Sequence, residues 1–401
     1  MRMTVAFLLT AFCIASIATA QTDSAFKPNG KVWGLMFGDY FYRANGDNPG
    51  YSAKGQYVNI SENFHAFQLR RLYLGYDYNA TPSMKVRALL EVNDKSIIAT
   101  GGYVPFVKQA YLEWKNPADI GTSTVLNIGL IPVPLFTNIE KAWGWRSVGK
   151  TIIDYRGIMT TADFGASLSG SFDAGNDTYG YSLMIGNGTG VKAPDFTRAK
   201  FASREKEFYL LTYALLLDKK LTVDAFLDYR DGETDPVTGA HIERKMLHGF
   251  ASYTIPKILT ISVEGGLINN INAALRRVSA DTAVKTVISA DIKETFFSIY
   301  ATATLGFISD KLEMLARYDL FNNDANFDPL NVYATALVTD NNYYRNYKEG
   351  MILIGLAYRP ASNISFIPNV EINSYTKHKG GVVPERTNDI TPRITFYYVL
   401  K

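Results

Sequence analysis

Apolar and polar residues alternate one for one along most of this chain, the mark of strands with one apolar and one polar face. Between Met84 and Asn93, the residues Met84, Val86, Ala88, Leu90 and Val92 share one face, and Lys85, Arg87, Leu89, Glu91 and Asn93 share the other. From Leu221 to Arg230, Leu221, Val223, Ala225, Leu227 and Tyr229 oppose Thr222, Asp224, Phe226, Asp228 and Arg230. The stretch Lys311–Asp319 alternates in the same way. Strands of soluble sandwiches run about five or six residues. These runs approach the roughly ten that a tilted strand needs to cross a bilayer.

The pattern predicts sixteen strands, from Lys31–Tyr42 and Phe64–Tyr78 to Arg393–Leu400, joined by links that alternate strictly in length. Short links fall at Asn79–Ser83, Asp218–Lys220 and Pro256–Lys257, among others, and long ones at Arg43–Asn63, Val133–Asp163 and Tyr375–Pro392, among others. Tight turns on one side and long loops on the other are the pattern of a transmembrane barrel, and an even strand number puts both termini on the periplasmic side. A Greek-key sandwich has no reason to keep such an alternation. The expected fold is therefore all-β: an antiparallel transmembrane β-barrel with short periplasmic turns and long external loops. Lipid offers no hydrogen bonds, so a sheet crosses it only when closed on itself. A ring of sixteen is too wide for side chains to fill, so water is expected inside.

The third long link carries the densest chemistry. Between the alternating segments beginning at Leu126 and ending at Gly170 lie about 30 residues rich in charge, aromatics and glycine. We expect this segment, about 133–163, to fold inward and narrow the lumen. Selection in a channel depends on radius and on charge at the narrowest part. Glu140, Lys141, Arg146, Lys150, Asp154 and Arg156 are the candidates on the loop, and Arg71, Lys85, Arg87, Glu91 and Glu113 on the wall. Arg71, Lys85 and Arg87 on neighbouring strands would form a basic wall facing the acids of later strands, a transverse field across the pore. Pairing of the loop charges to pin the loop is the simpler role, compatible with the first. Trp143 and Trp145 are expected to pack the loop rather than to bind sugar.

Composition narrows the class. The first twenty residues read as a signal peptide: Arg2, an apolar run to Ile17, then Ala18-Thr19-Ala20. The only cysteine, Cys13, lies within it, so residues 21–401 form one domain without disulfides or cysteine metal sites. The formal net charge is +3 and shows no basic patch with interleaved aromatics, which excludes nucleic acid as a partner. The 26 Tyr and 23 Phe suit the aromatic girdles of a membrane barrel. His65, His241, His248 and His378 have no metal-ligand spacing, so neither an enzyme nor a cofactor is expected.

Specific segments resemble a known family. Phe67-Gln-Leu-Arg-Arg-Leu-Tyr-Leu-Gly-Tyr-Asp77 is similar to an early strand of the phosphate-selective porin O and P family. Val107–Trp114, Leu126–Pro134, Asp163–Gly170 and Tyr181–Gly188 resemble its succeeding strands, and Gly355–Pro360 a late strand and turn. The resemblance implies a sixteen-stranded, trimeric porin in the outer membrane of a Gram-negative bacterium, with the third loop narrowing the channel. It implies passive diffusion of small hydrophilic solutes and inorganic ions, anions such as phosphate among them. Phosphate selection in that family relies on rows of cations. Here the inward faces also carry Asp77, Asp224, Asp228, Glu264, Glu313 and Glu371, which tells against phosphate selection. The alternative function is a structural or adhesive barrel with a closed lumen.

Overall fold

A computed structural model describes residues 26–47, 55–57, 60–117, 123–173, 176–192, 206–234, 238–277, 287–332, 343–381 and 384–400. The expected signal peptide, residues 1–20, lies outside the described residues. Strands β1 (Asn29–Tyr42), β2 (His65–Asn79), β3 (Met84–Asn93), β4 (Phe106–Lys115) and β5 (Val125–Pro132) precede the third loop. That loop carries two helices, α1 (Phe136–Trp143) and α2 (Ile152–Tyr155). After it come β6 (Ala162–Ser171), β7 (Tyr179–Gly186), β8 (Glu207–Leu216), β9 (Leu221–Thr234), β10 (His241–Ile255), β11 (Leu259–Arg277), β12 (Val287–Thr304) and β13 (Leu312–Asn322). A two-residue strand, β14 (Asn331–Val332), sits in an external loop, and β15 (Tyr347–Ala361), β16 (Ile364–Lys377) and β17 (Asp389–Leu400) finish the chain.

Each long strand pairs antiparallel with its sequence neighbours, β13 passes directly to β15, and β17 returns to β1. β14 instead lies against the end of β11. Sixteen strands thus close into a barrel with no free edge, as the alternation requires. Among the described residues no helix is long and apolar enough to cross a membrane, and the crossing is made by strands. The strands run further outward than the alternation suggests: β11 reaches Arg277 and β12 starts at Val287, where a loop from Ile268 to Lys293 is expected. Backbone pairing continues there because hydrogen bonds between strands need no lipid-facing side chains to sustain them.

The outer surface follows the pleat. Leu74, Val86, Leu90, Ile128, Leu183, Leu227, Leu267, Ile352 and Ile354 stand exposed around it. Towards the short turns the exposed outward residues are aromatic, including Tyr78, Tyr179, Tyr253, Tyr358 and Tyr398. Such rings prefer the boundary between hydrocarbon and water.

Two β-bulges break the alternation where it matters for the interior. In β2, Phe37 of β1 pairs with Arg71 and Gly38 with Leu69, so Arg70 is an extra residue. In β4, Leu89 pairs with Gln109 and Leu90 with Val107, so Lys108 is extra. An unpaired residue in one strand re-aims the side chains around it. Arg70 and Lys108 both turn into the lumen, where a strict period of two puts neither. At Gly129 of β5 (φ 131°) a Cβ would lie 2.3 Å from the carbonyl oxygen of Ala110, so only glycine lets the strand pass into the loop here.

Candidate channel and constriction site

The third loop is pressed into the barrel by two different surfaces. One is apolar. Leu135, Phe136, Ile139, Ile152, Ile153, Ile158 and Met159 of the loop pack against inward side chains of β7–β13. Those partners are Met184, Tyr209, Leu211, Phe226, Met246, Phe250, Ile268, Phe296 and Phe321. The spacing Phe136, Ile139, Trp143 puts one apolar stripe on α1 and aims it at this wall. Trp143 packs at a tilt against Tyr300 (5.1 Å between rings) and donates to the carbonyl of Gly149 at 2.7 Å. Trp145 lies under the Arg359 guanidinium at 4.8 Å. Both tryptophans therefore hold the loop.

The other surface is charged and equally dry. Arg70 bonds Asp39 and the carbonyl oxygens of Ser147 and Val148 at 3.1 and 3.3 Å, tying β2 to the loop. Arg156 pairs with Glu349 of β15, the Tyr155 hydroxyl donates to Glu371 at 2.5 Å, and Glu371 meets Arg393 at 3.1 Å. Arg317 reaches the carbonyl of Lys150 while binding Asp319. Tyr57 of the first external loop bonds Asp39 and lies against Arg70 and Arg393. Each of these charged side chains is less than a tenth exposed. A guanidinium and a carboxylate buried without each other would cost several kcal/mol each, so the pairs hold the loop in one place.

Together the two surfaces seat the loop against β7–β17, and a second group of charges stands along β2–β4 and the facing edge of the loop. There Lys108, Glu140, Arg146, Lys150 and Asp154 are partly exposed, and Arg71 and Glu91 are buried. Arg71 meets Glu91 at 3.2 Å, and Lys108 approaches the same carboxylate at 3.6 Å. Across from them Arg146 bonds Glu140 and Asp154, and Lys150 bonds Asp154 at 2.9 Å. Burial pushes the Glu140 carboxyl above its ordinary range. Burial alone would raise Asp154 too, but Arg146, Lys150 and Arg71 hold it well below. Lys150 is lowered by burial. On the side of the short turns Lys85 pairs with Glu113 at 3.3 Å and Arg87 with Asp77 at 2.6 Å, so the charge there is balanced.

The expected site residues therefore divide. Arg71, Glu91, Glu140, Arg146, Lys150 and Asp154 come together where the third loop faces β2–β4. Lys85, Arg87 and Glu113 lie nearer the short turns, each in an ion pair, and Lys141 is exposed on α1. Arg156 is fully buried against Glu349 and Phe321 and anchors the loop to β15. The basic wall of Arg71, Lys85 and Arg87 does not form. The register sets each beside a carboxylate on the adjacent strand, as in the pairs Asp77–Arg87 and Lys85–Glu113, so their charges are neutralised locally. Lys108, Arg70 and the apolar seat are absent from the expected site. A residue count that allowed an insertion in β4 would have found Lys108.

Glu140 is the group of this cluster expected to respond first as pH falls. With a raised pKa it takes up a proton before a free glutamate as pH falls, while the depressed Asp154 stays ionised. The local charge becomes more positive, so preference for anions is expected to grow as pH falls, beginning above the range in which a free glutamate titrates. Reversal potentials in a salt gradient measure this. Glu140→Gln should fix the high-anion state at every pH, and a pH dependence that survives in it would assign the effect elsewhere. The linkage also acts on stability: the contribution of the raised Glu140 is full below the ordinary glutamate pKa of the unfolded chain and is lost as pH rises from there through the folded value.

No protein-family model and no curated protein sequence matches this chain. Solved structures do. It is similar to DcaP, an outer membrane channel of Acinetobacter baumannii (TM-score 0.58, 10% identity, 93% of this chain and 97% of that one). It is similar to the trimer form of OmpT, an outer membrane protein of Vibrio cholerae (TM-score 0.57, 13% identity, 93% and 100%). An anion-selective porin from Comamonas acidovorans follows at TM-score 0.56 and 12% identity, over 93% and 100% of the two chains. At these identities the likeness is one of fold, and that fold is the closed, sixteen-stranded barrel of outer-membrane porins.

Proposed function

We propose that this protein is an outer-membrane porin of a Gram-negative bacterium, through which small hydrophilic solutes and ions diffuse passively, with a weak preference for anions. The carrying observation is the charge around the narrow part. Arg71, Lys108, Arg146 and Lys150 stand against Glu91, Glu140 and Asp154, four cations against three carboxylates. Low-dielectric walls focus the field of that one excess charge on a passing ion. Every cation already holds a carboxylate, so no solute is bound tightly, and permeation is fast and weakly selective. Phosphate, suggested by the resemblance over Phe67–Gly188, would pass as one small anion among several. A homotrimer, the state given for the OmpT form above, is the assembly we infer.

Current through single channels in a planar bilayer tests the reading. Steady conductance with an anion-favouring reversal potential is expected. Lys108→Glu changes the balance to three cations against four carboxylates, and the reversal potential should cross to the cation side with the barrel still folded. An unchanged reversal potential would remove Lys108 from the constriction. Absence of conductance from a folded, heat-modifiable barrel would overturn the channel and leave the structural or adhesive reading, in which the loops do the binding.

A further inference from the structure

The outside of a barrel is convex, yet this one carries a groove of about 1080 Å³ on the lipid-facing wall of β5–β12. One side of it is a continuous row of leucines. Leu126, Leu168, Leu183, Leu210, Leu227, Leu247 and Leu267 pair laterally, one from each of β5 to β11. The other side is the row one step outward: Ala166, Ile185, Phe208, Tyr229, Lys245, Asn269 and Lys293, again paired strand to strand. Strands lie about 4.8 Å apart, so seven of them give a trough about 29 Å long. It runs across tilted strands and climbs the membrane rather than circling it.

The trough changes character at its end nearest the external loops. Lys245 and Lys293 point outward there with Asn269 between them, and both lysines are exposed. Lys245 donates to Glu243 at 2.8 Å and lies on the Tyr229 ring, which fixes its stem along the wall. Its ammonium keeps further donor capacity. An ammonium at the edge of hydrocarbon is well placed when an anionic headgroup comes to it.

We propose that the groove is a binding site for one acidic lipid of the outer leaflet. Its acyl chains lie along the leucine row and its phosphorylated headgroup sits against Lys245, Asn269 and Lys293. Shape selects chains over free phosphate, and the lysine pair selects an acidic headgroup over a zwitterionic one. Asp291, which accepts the backbone N–H of Asn272 at 2.9 Å, and Glu243 border the head site. They keep it from attracting anions that lack chains.

Native mass spectrometry of the intact barrel, titrated in detergent with phosphatidylglycerol and separately with phosphatidylcholine, tests this. One retained phosphatidylglycerol per barrel is expected at concentrations where phosphatidylcholine leaves none. Lys245→Gln with Lys293→Gln should weaken it about tenfold. Ala166→Trp, which fills the trough from the wall, should abolish retention while leaving single-channel conductance unchanged. Equal retention of both lipids, or full retention by the double lysine variant, would overturn the proposal. So would a groove-filling variant whose only effect is to split an oligomer, which would make the groove an interface between copies. Inorganic phosphate alone should compete weakly, and full competition would make the chains irrelevant and reject the site. Loss of conductance in every form, with lipid still retained, would sink the channel reading and leave this one standing.

Discussion

Replacing Arg156 by alanine should loosen the constriction and widen the channel. The guanidinium is fully buried, pairs with Glu349 across to β15, and lies over the rings of Tyr155 and Phe321 at 5.0 and 5.9 Å. Removing one partner of a buried ion pair leaves the other charge in a dry site, at a cost of about 3–5 kcal/mol. The barrel as a whole has an escape that a soluble core lacks. If the loop end carrying α2 withdraws, water reaches Glu349 and the penalty falls. The strain is therefore expected to appear as loop movement rather than as unfolding. Single-channel recordings should show higher and noisier conductance, and the temperature at which the band shifts on a gel should fall modestly. Arg156→Lys keeps the charge without the planar fork and should fall between the two. A quiet channel of unaltered conductance in Arg156→Ala would mean that the apolar surface alone holds the loop.

That surface is the second target. Ile153 is fully buried in the cluster formed with the walls of β7–β13. Ile153→Ala removes apolar volume and should cost about 2–5 kcal/mol of docking, depending on how far the site closes. Ile153→Asp places a carboxylate in this apolar cluster on the side of β12, which is unfavourable enough that the loop should leave its seat. With the apolar wall exposed to the lumen, conductance should rise sharply and the selectivity set by Arg146, Lys150 and Asp154 should vanish. The strands and their ladders are untouched, so the circular dichroism of the barrel should persist. A folded barrel with wild-type selectivity in Ile153→Asp would show that the constriction is not carried by this loop.

The two variants also separate what the loop's contacts do. Arg156, Arg70 and Arg317 set direction and position through specific donors. The isoleucines supply attraction without direction. A loop with only the second would be attached but imprecise, and its charges would not stand reproducibly opposite Arg71, Glu91 and Lys108.

Strand number, the order of short turns and long loops, and the inward placement of Arg71, Lys85, Arg87, Glu91 and Glu113 were all readable in the one-dimensional pattern. Lipid outside and water inside force every crossing strand to alternate, and hydrogen-bond closure forces the ring. The same rule misplaced what broke the period. Arg70 and Lys108 enter the lumen through one-residue bulges, and whether a strand carries a bulge depends on its partners' register. The apolar seat was hidden for a related reason. Phe226 alternates with Asp224 and Asp228 on an inward face, and only the arrival of Phe136 and Ile153 from a distant loop shows why an aromatic belongs there. Charge was legible as composition but not as pairing. Which cation neutralises which carboxylate is decided across strands and across the lumen, by distances of a few ångströms that a linear sequence does not contain.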